Sequence, residues 1–216
     1  MQLYGYWRSS AAYRVRIALN LKRIPYQYIA VNLLKNGGEQ HSPEFHALNS
    51  NELVPVLVHG GLRLNQSLVI LDYLDEQFPE PLLVPLSGEK RYLIRALAHD
   101  IAVDIHPLNN LRVQQYLTAQ AKLNQQAKEK WLKHWMYRGF CSLENKLADS
   151  AGKYCVGSEV SLVDVCLVPQ VYNALRLEMD LELFPTIERL YHTLNQKEAF
   201  AMAQPERQPD AVLSKP

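Results

Sequence analysis

The segment Phe78-Pro-Glu-Pro-Leu-Leu-Val-Pro85 limits the fold of this chain more than any other, because it sets three prolines within seven residues. Proline lacks an amide proton and locks φ, so neither a helix nor a central strand crosses the segment, and it reads as a stiff extended connector. The chain differs in kind on its two sides. Before it, short alternating runs are interleaved with helical spacing. Beyond it, residues 89–119, 124–148 and 162–177 repeat at the helical period with almost no strand signal. The expected layout is an α/β domain over residues 1–80, a linker over 81–88 and an all-helical domain over 89–216.

Within the first domain, Gln2-Leu-Tyr-Gly-Tyr-Trp7 alternates and is aromatic, as strands are, with Gly5 as its weak point. Ser9-Ser10 punctuates it. From residue 11 to 21, Val15, Ala18 and Leu19 recur at helical spacing, with Arg14 and Arg16 off that face. Residues 26–31 predict a second strand, and the Asn36-Gly-Gly38 turn leads to a short helix over 42–48. Leu53-Val-Pro-Val-Leu-Val58 has strand composition, but Pro55 demands an edge, a bulge or a cis turn. His59-Gly-Gly61 turns the chain into Leu62-Arg-Leu64, after which Ser67 caps a helix that directs Leu68, Leu71, Tyr73 and Leu74 to a core. The element order is βαβαββα. In the second domain Ser161-Leu-Val-Asp164 fits a capping box. The tail after Pro205, with Pro209 and Pro216, lacks periodicity and is expected to lie extended or frayed.

Charge excludes some functions. With 23 Lys and Arg against 22 Asp and Glu, no global field attracts nucleic acid or an anionic membrane, so any anion must be caught locally. Arg8, Arg14 and Arg16 break the apolar core a signal peptide needs, and no membrane-spanning apolar run follows, which predicts a cytoplasmic protein. Cys141, Cys155 and Cys166 form no Cys-x-x-Cys pair and are expected to be buried free thiols. Asp100 and Asp104 stand one helical turn apart near His106 without a complete ligand set, so no metal is expected.

Trp7-Arg-Ser-Ser-Ala-Ala-Tyr13 occupies the first strand-to-helix turn, where open α/β sheets bind ligands. Open amides and the positive end of a helix dipole favour an anion there, and a thiolate so placed has a depressed pKa. Ser9 and Ser10 are therefore candidates for chemistry, and they equally suit plain capping of the helix.

Tyr4-Gly-Tyr-Trp-Arg-Ser-Ser-Ala-Ala-Tyr-Arg-Val-Arg-Ile-Ala-Leu19 resembles the signature of zeta-class glutathione transferases. The similarity continues through Leu53-Val-Pro55, Asn65-Gln-Ser67, Asp104-Ile-His-Pro-Leu-Asn-Asn110, Tyr154-Cys-Val-Gly157 and Leu167-Val-Pro-Gln-Val171. This resemblance implies a thioredoxin-like N-terminal domain, an all-helical C-terminal domain, a homodimer and glutathione as cofactor. It also implies glutathione-dependent cis–trans isomerisation of a dicarboxylic diketo acid, maleylacetoacetate, in tyrosine and phenylalanine breakdown. Maleylpyruvate isomerisation or broader transferase activity is the alternative, and a non-enzymatic interaction module on the same fold is the alternative of a different class.

The resemblance also carries residue roles. Ser9 would donate to the glutathione sulfur and Ser10 assist, while Ala11 stands where the family's usual Ser-Ser-Cys has its cysteine. Val54 would pair with the cysteinyl unit beside a cis Pro55, Gln66 and Ser67 would hold the γ-glutamyl carboxylate, and Gln40 would reach the glycine end. His106 and Asn110 would line the cleft, and Arg8, Arg112 and Arg176 would pair with substrate carboxylates.

Overall fold

The computed structural model describes residues 1–212, so Pro216 lies outside the described residues. Packing divides it into two units, Met1–Leu82 joined by the segment from Gln196 onward, and Leu83–Asn195. The first unit runs β1 (Gln2–Gly5), α1 (Ser10–Leu21), β2 (Gln27–Ala30), α2 (Pro43–Leu48), β3 (Val56–His59), β4 (Leu62–Asn65) and α3 (Ser67–Gln77), the expected βαβαββα order. Its sheet has the order β2-β1-β3-β4, with β1 parallel to β2 and antiparallel to β3, and β3 antiparallel to β4. This is the thioredoxin-like arrangement. β1 stops at Gly5 rather than Trp7, because the Ser9 amide donates to the Tyr6 carbonyl at 2.9 Å and closes a turn.

The surroundings of α1 depart from the expected one-sided helix. Arg14 and Arg16 are 1% and 0% exposed, although their spacing predicts an outward face. The reason is that α1 packs against α3 and also against α9 (Glu198–Ala203), which leaves it little face toward water. Each guanidinium is accommodated by fixed oxygens. Arg14 Nη1 donates to Ser67 Oγ at 3.1 Å, and Arg16 donates from Nε to the Ala203 carbonyl and from Nη2 to the Trp7 carbonyl, both at 3.0 Å. The aliphatic stems meanwhile fill the core.

The described part of the tail, as far as Val212, is likewise not frayed. α9 is followed by a 3₁₀ turn, Pro205–Arg207, and then by Asp210, whose Oδ2 accepts from the Trp7 amide at 3.0 Å and the Tyr28 hydroxyl at 3.4 Å. The helical domain expected over 89–216 accordingly ends at Asn195. At the other end of α1, Lys22 Nζ donates to the Phe78 and Pro81 carbonyls at 2.7 Å and pairs with Asp75 at 2.8 Å, anchoring the start of the proline-rich connector.

The second unit is helical, with α4 (Glu89–His99), α5 (Leu111–Ala119), α6 (Gln125–Ser150), α7 (Leu162–Leu175) and α8 (Pro185–Asn195). The helix expected over 89–119 is interrupted by a π-helical turn, Asp100–Ile105, and a 3₁₀ turn, His106–Asn109. Pro107 has no amide to continue the ladder, and the Asn109 side chain takes the Ile105 carbonyl at 2.8 Å instead. α7 is buried from Leu162 through Val171 and begins with the expected capping box. Asp164 accepts from the Ser161 amide and hydroxyl at 2.8 Å and from the Cys155 amide at 2.9 Å. Cys155 and Cys166 are buried free thiols, whereas Cys141 is only partly buried. Among the described residues no helix is long and apolar enough to cross a membrane.

Candidate functional site

Sheet register gathers the first-unit candidates at one end. Tyr4 of β1 lies opposite Val56 of β3, and Val56 lies opposite Asn65 of β4. The chain leaving β1 toward Ser9, the chain entering β3 through Val54-Pro55 and the chain leaving β4 toward Gln66-Ser67 therefore share that end. Both α1 and α3 begin there, which brings together two helix N-termini whose open amides and dipoles favour an anion.

Ser9 is the N-cap of α1, its Oγ accepting from the Ala12 amide at 3.2 Å. A hydroxyl that accepts still has its proton to donate, so capping and donation to a ligand are compatible roles for one side chain. Ser10 is buried at the first helical position, and Ala11 is half-buried beside it. Arg8 stacks on Trp7 with its guanidinium 4.2 Å from the ring, and its Nε is buried without a hydrogen bond among the described residues.

The Val54-Pro55 bond is cis, as expected. Val54 makes no backbone hydrogen bond among the described residues, so an extended chain laid beside it meets open peptide groups. A neighbour absent from the sequence reading braces this loop: buried Asn49 donates to the Leu53 carbonyl at 2.8 Å and accepts from Asn65 Nδ2 at 3.0 Å. Gln66 holds φ at 66°, a region few residues other than glycine occupy, at the mouth of α3. Ser67 follows as the first residue of α3 and is held by Arg14.

Gln40 is 5% exposed, and its Oε1 is buried with no partner among the described residues while Nε2 lies 3.0 Å from His41 Nε2. His41 and His46 both reach Glu52, at 2.6 and 2.9 Å, which connects Gln40 to the loop entering Val54. Those two hydrogen bonds hold the Glu52 carboxyl below the usual carboxylate range. Gly38 is needed here, since a Cβ at that position would run into the Gln40 carboxamide.

The remaining candidates belong to the second unit. His106 opens the 3₁₀ turn, Asn110 caps α5 by accepting from the Arg112 amide at 3.2 Å, and Arg112 is exposed in the first turn of that helix. Asn173 of α7 donates to Asn109 Oδ1 at 3.0 Å, so the end of α7 lies beside this stretch, and Arg176 is exposed one turn further on. These four candidates all belong to the second unit. Asp100 is engaged by Lys146 at 2.7 Å, and among the described residues no group of three His, Cys, Asp or Glu side chains could hold a metal ion.

Burial shifts several ionisable groups. Desolvation lowers the pKa of Arg16, against the pull of Tyr28, Tyr26, Tyr13 and Asp210. It raises those of Tyr26 and Tyr28, which keeps both phenols neutral. It also raises Asp164, although the Cys155 and Ser161 hydrogen bonds favour the ionised form, and it pushes the Cys155 thiol well up. Cys155 is therefore an inert packing thiol.

Comparison with known proteins places the chain in a family. Residues 3–82 match the glutathione S-transferase N-terminal domain and residues 107–201 the C-terminal domain. A probable maleylacetoacetate isomerase of Vibrio cholerae is 58% identical over 97% of both chains. A solved structure of a maleyl pyruvate isomerase, described as a bacterial glutathione S-transferase of the zeta class, superposes with a TM-score of 0.94 at 41% identity, covering 98% of this chain and 100% of the other. The maleylacetoacetate isomerase of Methylobacterium extorquens, solved with bound malonate and glutathione, gives 0.94 at 38% identity, covering 99% of this chain and 100% of the other.

Proposed function

The chain belongs to the glutathione S-transferase family, and from that premise we propose that it is a glutathione-dependent cis–trans isomerase converting maleylacetoacetate to fumarylacetoacetate in tyrosine and phenylalanine breakdown. The observation that carries the reading is the convergence of Ser9, Val54-Pro55 and Gln66-Ser67 at one end of the sheet. The donor set suits glutathione. Open peptide groups at Val54 match its extended backbone, two helix N-termini match its anionic ends, and the orphaned Gln40 Oε1 marks a polar position awaiting a partner.

Bound glutathione supplies a thiolate able to add reversibly to the conjugated double bond, so that the bond rotates. The protein's residues make that possible. Ser9 directs its hydroxyl proton at the sulfur and, with the first amides of α1, favours the ionised thiol. Ser10 assists at the same helix entrance, and Ala11 adds no second thiol. Val54 pairs with the cysteinyl unit, Gln66 and Ser67 take the γ-glutamyl carboxylate, and Arg14 fixes the Ser67 hydroxyl for that task. Gln40 serves the glycine end. His106 and Asn110 are glutathione-contacting residues in this reading. Arg8, Arg112 and Arg176 provide guanidinium forks for the two substrate carboxylates, which orients the conjugated carbons and offsets charge that develops on the carbonyl oxygen. The enzyme works as a cytoplasmic homodimer in this reading.

Maleylpyruvate, the shorter acid of the same class, is the second substrate to consider, supported by the superposition on maleyl pyruvate isomerase. An ultraviolet assay of both acids, each with and without glutathione, tests the proposal. Faster turnover of maleylacetoacetate, abolished without glutathione, is expected. Turnover of neither acid would overturn the isomerase reading in favour of a non-enzymatic module, and preference for maleylpyruvate would reassign the substrate.

A further inference from the structure

We infer that Asp210 is a positioning residue for this reaction: its carboxylate, carried on the segment that returns to the first unit, sets the turn that presents Ser9. The inference rests on the role given to Ser9 above. Because the Ser9 amide donates to the Tyr6 carbonyl at 2.9 Å, Tyr6-Trp7-Arg8-Ser9 is a β-turn. The central peptide of such a turn, here the Trp7 carbonyl and the Arg8 amide, points opposite ways in its two common types. Its direction decides how the turn hands the chain on to α1.

Both backbone groups of Trp7 are held by side chains remote in sequence. Its amide donates to Asp210 Oδ2 at 3.0 Å, and its carbonyl accepts from Arg16 Nη2 at 3.0 Å. The two holds are connected, since Arg16 Nε donates to the carbonyl of Ala203 on the same returning segment that carries Asp210. Trp7 is 4% exposed and Arg16 0% exposed, so the Arg16 bonds are shielded from water, while the bond from the Trp7 amide to Asp210 is part-buried. Asp210 also accepts from the Tyr28 hydroxyl at 3.4 Å, and with Tyr13, Tyr26 and Tyr28 it is one of the groups acting on the buried Arg16 guanidinium. The carboxylate therefore has two separable tasks. Its oxygen fixes the Trp7 amide, and its charge adds the weakest of the four influences that favour the buried Arg16 cation.

Asp210→Asn keeps an oxygen acceptor and loses the charge, whereas Asp210→Ala loses both. A misplacement of about 1 Å in a reacting group costs on the order of a hundredfold in rate. A turn still held by Arg16 moves less, so Asp210→Ala is expected to lower kcat about tenfold. KM for glutathione should change little, because Val54 and Gln66 sit in other loops and Ser67 at the start of α3. Asp210→Asn should keep near wild-type kcat while unfolding at a lower temperature.

The experiment uses the full chain and measures turnover, glutathione KM, thermal unfolding and amide exchange at Trp7 for Asp210→Ala, Asp210→Asn, Ser9→Ala and the double variant with Ser9→Ala. Faster exchange at Trp7 in Asp210→Ala, rescue of kcat by Asn and no additional kcat loss in the double variant are expected. Wild-type kcat in Asp210→Ala, equal kcat losses in the Ala and Asn variants, or losses that multiply in the double variant would each overturn the inference. Failure of the underlying reading shows itself separately: Ser9→Ala alone would leave turnover unchanged, and the inference would fall with it.

Discussion

Replacing Ser9 by alanine deletes two interactions at once, and the structure allows them to be told apart. The first is the cap, the 3.2 Å bond from the Ala12 amide to Ser9 Oγ. Its loss is expected to cost about 1 kcal/mol, or roughly 2–4 °C in Tm for a protein of this size. The second is the donor to the glutathione sulfur. A hydrogen bond to a charged group contributes about 1.5–3 kcal/mol, which corresponds to a rise of roughly 1–2 units in the pKa of the bound thiol. Turnover near neutral pH should then fall about 10- to 100-fold through the smaller thiolate fraction, and recover as the pH passes the free-thiol value of about 8.5. Ser9→Asp supplies the control, since aspartate caps well but sets a negative charge beside the sulfur. It should keep the thermal midpoint and lose at least as much turnover. The assay is a titration of thiolate absorbance in the glutathione complex beside pH-dependent turnover. An unchanged titration in Ser9→Ala, or a turnover loss of the same factor at high pH, would refute the donor role and leave only the cap.

Other sites give equally direct expectations. Asp164→Ala strands the buried amides of Cys155 and Ser161, and should cost about 3–5 kcal/mol in urea unfolding; a loss below about 1 kcal/mol would contradict the capping network. Arg176→Ala should reduce kcat/KM for the diacid far more than for a neutral haloalkane, with glutathione affinity unchanged; equal losses on both substrates would make Arg176 structural. Glu52 is held below the usual carboxylate range by His41 and His46, so its stabilising effect is present above the unfolded value of about 4.3 and lost as pH falls through the folded value. Glu52→Gln should flatten that part of the acid-unfolding profile, and an unaltered profile would count against the histidine bridges.

Pro55, Ser9 and the Ser161-Leu-Val-Asp164 box were legible in the sequence because each depends on a local property of its residue type: a missing amide, a short hydroxyl or a fixed capping spacing. Arg14 and Arg16 were not, because helical periodicity assigns a long cation to the outside and does not register that α3 and α9 cover α1 from two directions. The returning segment was hidden for a related reason. Its anchors are the Ala203 and Ala199 carbonyls, which every residue possesses, and the single Asp210 carboxylate. The interruption between α4 and α5 depends on Asn109 and Pro107 acting together, and an unbroken apolar period from 89 to 119 conceals it. Asn49 escaped notice because its function is to join the loop at Leu53 to Asn65 at the end of β4, which are brought together only when the sheet forms.

The first unit is assembled from two separated stretches of chain, and this layout orders its maturation on the ribosome. At about 5–20 residues per second, synthesis reaches Gln196 roughly 6–23 s after Leu82. Throughout that interval the nascent α1 lacks α9, Arg16 has no Ala203 carbonyl to grip and the Trp7 amide has no Asp210. The second unit is continuous from Leu83 to Asn195 and has all its own segments first. The half that carries Ser9 is thus begun first and finished last, so a chaperone or protease surveying the growing polypeptide meets an uncovered α1 until residues past Gln196 emerge.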